Sequence, residues 1–150
     1  MDYLQARITT LHAITDAVPP LPDGDSAVVV PIAGESDTAV RATHIFETLA
    51  GVGPDEVVVP LRSPPAVAAS FDRWVTGFDL DVTTLWCNAP DVEPVLDAHG
   101  LGGVMGKGRD VWLGLGLAAD RADYVAVHDA DAATYSAAHV PRLLAPLTMD

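Results

Sequence analysis

The stretch Val125-Ala-Val-His-Asp-Ala-Asp131 carries an apolar, strand-like segment straight into two carboxylates one residue apart. Where a strand gives way to a loop, the chain can turn both to one side, so Asp129 and Asp131 can approach a single hard cation. Mg2+ or Mn2+ held by one or two carboxylates completes its shell with water and phosphate oxygens, which makes these two residues candidate ligands for either metal. Upstream, Lys107 is the only lysine in the chain and stands between Gly106 and Gly108, just ahead of a helical segment. A turn of this kind offers an anion backbone N–H groups and a positive helix end, with the ammonium as a point charge. It is not a Walker loop, and no G-x-G-x-x-G follows a strand. Each feature has a plain structural reading: two aspartates among seventeen can simply cap the next helix, and a glycine-rich turn can simply reverse the chain. Lysine's confinement to that turn weakens the plain reading and points to phosphate and divalent-metal chemistry.

These groups need a scaffold that brings distant segments together. Residues 3 to 18 place apolar side chains at helical spacing, and Pro19-Pro20-Leu21-Pro22 forbids continuation, so residues 1 to 22 read as a leading helix and a proline-rich linker. A β-branched run at 27 to 31 follows the turn signal Asp23-Gly24-Asp25; Ser36 or Asp37 then caps a helix through Leu49, closed by Gly51 and Gly53. The cycle repeats with a strand at 56 to 61 and a helix at 67 to 75. A third strand at 81 to 86, a looser segment through Leu96, a glycine cluster, a helix at 109 to 119, a strand at 124 to 128 and a final helix at 135 to 147, interrupted by Pro141 and Pro146, complete the pattern. Strands that are apolar throughout and alternate with helices predict an α/β doubly wound, mostly parallel sheet of at least four strands over residues 23 to 150. In such sheets ligands bind outside the carboxyl ends of the strands. The segments Pro31 to Glu35, Arg62-Ser63 and His128 to Asp131 all occupy such ends.

Other residues are less specific. Glu35 can accept hydrogen bonds from a base or ribose, or be a surface carboxylate. His128, on an apolar strand, reads best as a buried, hydrogen-bonded histidine. Trp74, Trp86 and Trp112 read as core or crevice wall, because Trp112 and Leu115 share a helix face. Ser63 has no recognisable histidine and acid partner, which argues against a serine hydrolase.

Composition bounds the rest. The 150 residues, 49% of them hydrophobic, suffice for one domain with its own core. The formal net charge of −13 argues against nucleic acid and anionic membrane as partners. Seventeen Asp, four Glu and one Lys are a balance like that of a salt-accumulating halophile, where a Debye length of about 3 Å in molar salt screens the self-repulsion. Cys87 is the single cysteine, so it has no intramolecular disulfide partner and cysteine-rich zinc sites are excluded. No apolar run reaches about 18 residues and the start lacks a basic, apolar leader, so a cytoplasmic location is expected.

Taken in order, Val28-Val-Val-Pro-Ile-Ala-Gly-Glu35, Arg62-Ser63, Gly106-Lys-Gly-Arg-Asp-Val-Trp112 and Val125-Ala-Val-His-Asp-Ala-Asp131 resemble the nucleotide-binding half of a GT-A glycosyltransferase. The group they resemble most is that of the glucosyl-3-phosphoglycerate and mannosylglycerate synthases, related to family 2. The resemblance implies that Pro31, Ile32, Ala33, Gly34 and Glu35 cradle the base and ribose of a UDP-sugar or GDP-sugar, with Ser63 beside them. It also implies that Lys107 and Asp129 belong to the donor site, and that Asp129 and Asp131 hold the divalent ion that bridges the donor diphosphate. The implied reaction is transfer of a hexose to a small phosphorylated acceptor such as 3-phosphoglycerate, with no catalytic side chain assigned. Two departures stand out: Ala33-Gly34-Glu35 replaces the usual Asn-Glu pair, and Arg62-Ser63 lacks the aspartate-rich turn. The family continues well past its D-x-D, so the resemblance implies a GT-A domain whose acceptor half is absent. Such a chain is expected to bind a nucleotide-sugar weakly, to transfer nothing unaided, and to cover its open sheet edge, for which a homo-oligomer is one route.

Two other readings remain. A non-catalytic nucleotide-sugar-binding or regulatory module would use the same fold. A haloacid-dehalogenase-type phosphatase also places D-x-D at a strand end, but its motif continues to Thr or Val where this chain has Ala133, and it stands near the start of the chain.

Overall fold

A computed structural model describes residues 17–34, 38–103 and 105–148. The expected leading helix, Glu35, and the Ser36-Asp37 cap lie outside the described residues. The elements run β1 (Ser26–Val29), β2 (Ile32–Ala33), α1 (Thr38–Val52), β3 (Glu56–Arg62), α2 (Pro65–Val75), β4 (Val82–Trp86), α3 (Val92–Ala98), α4 (Lys107–Ala119), β5 (Tyr124–Val127) and α5 (His139–Thr148).

All strand pairs are parallel. β1 and β2 keep one register against β3, Val29 opposite Val58 and Ile32 opposite Leu61, so they are two halves of one strand. Pro31 lies between them and has no N–H to give the ladder. Across the sheet the order is β4, β3, β1 with β2, then β5. The chain therefore winds outward from β1 through β3 to β4 and then returns past β1 to form β5. Ligand crevices of doubly wound sheets lie at such a reversal, here at the carboxyl ends of β1 and β5.

Both faces of the sheet are covered, which is why its strands are apolar without alternation. On one face Val28, Val30, Val57 and Val59 pack with Ile45, Phe46 and Leu49 of α1, Phe71 and Val75 of α2, and Val140 and Leu144 of α5. Phe46 anchors this layer, its ring 5.2 Å from Trp74 and 5.5 Å from Phe78. On the other face Ala27, Val29 and Val58 pack with Ala118 of α4. α4 approaches closely because position 114 is glycine: a Cβ there would lie 2.3 Å from the Pro60 ring. α1 ends on Gly53, whose φ of +72° is open to glycine and whose N–H donates to the Leu49 carbonyl.

The sheet is thus the expected doubly wound one, with local differences. The segment expected to be loose through Leu96 contains most of α3, which runs on to Ala98. α5 starts at His139 rather than 135 and runs through Pro146 without a break, while Pro141 falls in its first turn, where a missing N–H costs nothing. Trp112 is not crevice wall; it is 57% exposed.

Candidate functional site

The first turn of α4, which packs along one face of β1 and β3, is tied to the carboxyl ends of β3 and β5. Lys107 and Asp110 stand at i and i+3 in the first turn of α4 and so share a side of the helix. Each reaches a different neighbour. Lys107 Nζ lies 2.5 Å from Asp129 Oδ1, in the loop after β5. Asp110 Oδ2 accepts from Arg62 Nε at 2.8 Å, at the end of β3. The two pairs differ in burial: both partners of the first are more than half exposed, whereas the Asp110 side chain is 2% exposed.

Pro31 to Gly34 continue from β1, Ile32 pairing with Leu61 and Ala33 with Arg62. Ile32 is buried, and Ala33 and Gly34 are exposed. Gly34 takes a φ of +144° while its N–H donates to the Arg62 carbonyl, a conformation that favours glycine. Ser63 is buried, its backbone held by Asn88 through Ser63 N–H to Asn88 Oδ1 at 3.0 Å and Asn88 Nδ2 to Ser63 O at 3.1 Å. Trp86 Nε1 donates to the same carbonyl. The Ser63 hydroxyl is buried and has no hydrogen-bond partner among the described residues. The His128 N–H donates to the Val29 carbonyl, which sets the start of the Asp129 to Asp131 loop beside the end of β1.

Asp129 and Asp131 are both exposed. Among the described residues no group of three or more His, Cys, Asp and Glu side chains gathers as a metal cage.

His128 is hydrogen-bonded as expected, though half-buried rather than buried. Its Nδ1 faces the Asp129 carbonyl at 3.2 Å, an acceptor only, so Nδ1 carries the proton and Nε2 accepts from the Tyr135 hydroxyl at 3.0 Å. Burial pushes the His128 pKa down, opposed by the hydrogen bond to that carbonyl. Burial likewise raises the Tyr135 phenol. His44 Nε2 lies 3.2 Å from the Tyr135 carbonyl and tethers α1 to this cluster. Sequence reasoning had no signal for this tie, nor for the Arg62–Asp110 pair, because both join residues far apart in the chain. Cys87 lies beneath the pair, and burial, then the nearby Asp110 carboxylate, push its thiol up to about 12. Arg109, in the same turn of α4, donates to Glu93 and to the Cys87 carbonyl.

No known family model matches the chain. It is similar to a glucosyl-3-phosphoglycerate synthase of Methanococcoides burtonii, 34% identical over 68 residues, which is 42% of this chain and 17% of that protein. The chain thus matches only a small part of that relative's length. No helix among the described residues is long and apolar enough to cross a membrane.

Proposed function

We propose that the crevice binds the nucleotide-sugar donor of a glycosyltransferase, a UDP-sugar or GDP-sugar, and that Asp129 and Asp131 are the residues that would hold Mg2+ or Mn2+ there. The observation that carries this reading is the Lys107–Asp129 pair spanning the sheet's reversal point. The partial similarity to a glucosyl-3-phosphoglycerate synthase supports it and suggests a phosphorylated three-carbon acid as acceptor.

An ion pair this exposed contributes about 0–1 kcal/mol, so it opens at little cost. Lys107 then turns to a phosphate oxygen and releases Asp129 for a cation. Pro31 to Gly34, which follow β1, are assigned to base and ribose in this reading, and Ser63 stands just past the end of the neighbouring strand β3. A bound divalent ion would supply charge neutralisation on the leaving diphosphate. Lys107 adds its own positive charge to the same group.

Calorimetric titration of UDP-glucose and GDP-mannose, with and without Mn2+, tests the reading. Binding of one donor that is strengthened by Mn2+ and lost in Asp131→Ala is expected. Binding of neither donor by the folded protein would overturn it.

A further inference from the structure

The Arg62–Asp110 pair holds a feature that the donor reading does not use. Arg62 donates to Asp110 through Nε, and its two Nη groups have no hydrogen-bond partner among the described residues. Its side chain is 31% exposed, while the carboxylate that holds it is almost fully buried. A surface ion pair would leave the guanidinium free to swing. Here a buried anion fixes one edge and leaves the other open. The adjoining Ser63 hydroxyl is buried and has no hydrogen-bond partner among the described residues.

Through Asp110 and Lys107, Arg62 and Asp129 are joined by a single turn of α4, so Arg62 and Lys107 bracket the end of β1. A guanidinium with a fixed plane and an open fork is suited to paired oxygens of a phosphate or carboxylate. We infer that Arg62 is a second anion-binding residue of this crevice, taking phosphate or carboxylate oxygens through its Nη groups, and that Asp110 is its positioning residue. The donor reading bears on this only in naming the molecule that carries the anion: the donor's diphosphate or the acceptor's acidic groups.

The test is calorimetric titration of pyrophosphate, UDP-glucose and 3-phosphoglycerate into wild type, Arg62→Lys and the double variant Arg62→Gln/Asp110→Asn. The double variant leaves no buried carboxylate alone, and Arg62→Lys keeps a cation beside Asp110, so at least one retains the fold by circular dichroism. Affinity for at least one anion is expected to fall about tenfold in both variants, because each loses the charged fork. A loss for pyrophosphate and UDP-glucose assigns the anion to the donor, and a loss for 3-phosphoglycerate alone assigns it to the acceptor; both support the inference. Unchanged affinity for all three overturns it, and the donor reading survives if UDP-glucose still binds in a Lys107-dependent way. Arg62-dependent binding of pyrophosphate without any binding of UDP-glucose supports the inference and removes the donor reading. No binding of any of the three to wild type overturns both.

Discussion

Lys107 and Asp129 satisfy each other at the mouth of the crevice, yet the solvent around them makes their attraction small. Lys107→Ala should therefore leave stability within about 0.5 kcal/mol of wild type. Removing a charged hydrogen bond to phosphate, by contrast, costs about 1.5–3 kcal/mol, or ten- to a hundredfold in Kd. Thermal melts and donor titration on one variant check both halves; equal donor affinity in variant and wild type would remove Lys107 from the site. His128 carries a pH prediction. Its folded pKa lies below the ordinary 6.5 because burial disfavours the imidazolium. As pH falls below 6.5 the unfolded chain takes up this proton first, so the stabilisation is complete above that pH and is lost on acidification toward the folded value. Melting temperature should drop between pH 7.5 and 5.5, and drop less in His128→Gln; parallel pH dependences would contradict this. At this scale the sequence singled out Lys107, Asp129 and Asp131 as candidates, and the structure joins the first two, but nothing local marked the meeting of Arg62 with Asp110. A run of glycines and a D-x-D are local patterns, whereas Arg62 meeting Asp110 depends on how α4 crosses the sheet.

α4 is the element that aims the crevice, and its buried face is Asp110, Gly114 and Ala118. Those are small or polar residues, so a search for large apolar ones settled instead on Trp112 and Leu115. Trp112 lies two residues from Gly114, about 200° round the helix, and therefore faces solvent. The parallel sheet was legible because its strands are apolar on both faces. α3 was not: Pro94 falls in its first turn and Leu96 is its one buried residue, so no apolar stripe marks it. Two glycines in α4 give opposite predictions. Gly114→Ala would press a Cβ to 2.3 Å from Pro60 and 3.0 Å from Val29, lifting the helix from β1 and β3. It should cost about 1–3 kcal/mol and weaken donor binding as well. Gly116→Ala meets nothing within 4 Å and should add about 0.5–1 kcal/mol. Denaturant unfolding of the two variants decides between them; equal effects would mean that α4 does not pack on Pro60.

Over the whole molecule the formal charge of −13 sets the conditions under which any of this is measured. Self-repulsion at this charge falls as the Debye length shrinks to about 3 Å in molar salt. A gain of 1 kcal/mol in molar KCl would raise the melting temperature by about 2–4 °C for a chain of this size, and no rise would show that the acidic surface is not limiting. Acidic side chains also line a shallow depression at the opposite, amino end of the strands, where Asp25, Asp55, Glu56 and Asp81 surround Arg121. Ser26 already satisfies Asp55 there through its N–H and hydroxyl, holding that carboxyl below its usual range. The molecule thus offers acidic groups at both ends of the sheet, and the account rests on the carboxyl end. The most direct test is paramagnetic broadening of backbone amide NMR signals by Mn2+ in the presence of UDP. The account predicts that broadening centres on residues 128 to 131 and reaches the first turn of α4, and that it weakens in Asp131→Ala. Broadening centred on Asp25, Asp55 and Asp81 instead, or broadening indifferent to UDP, would contradict it.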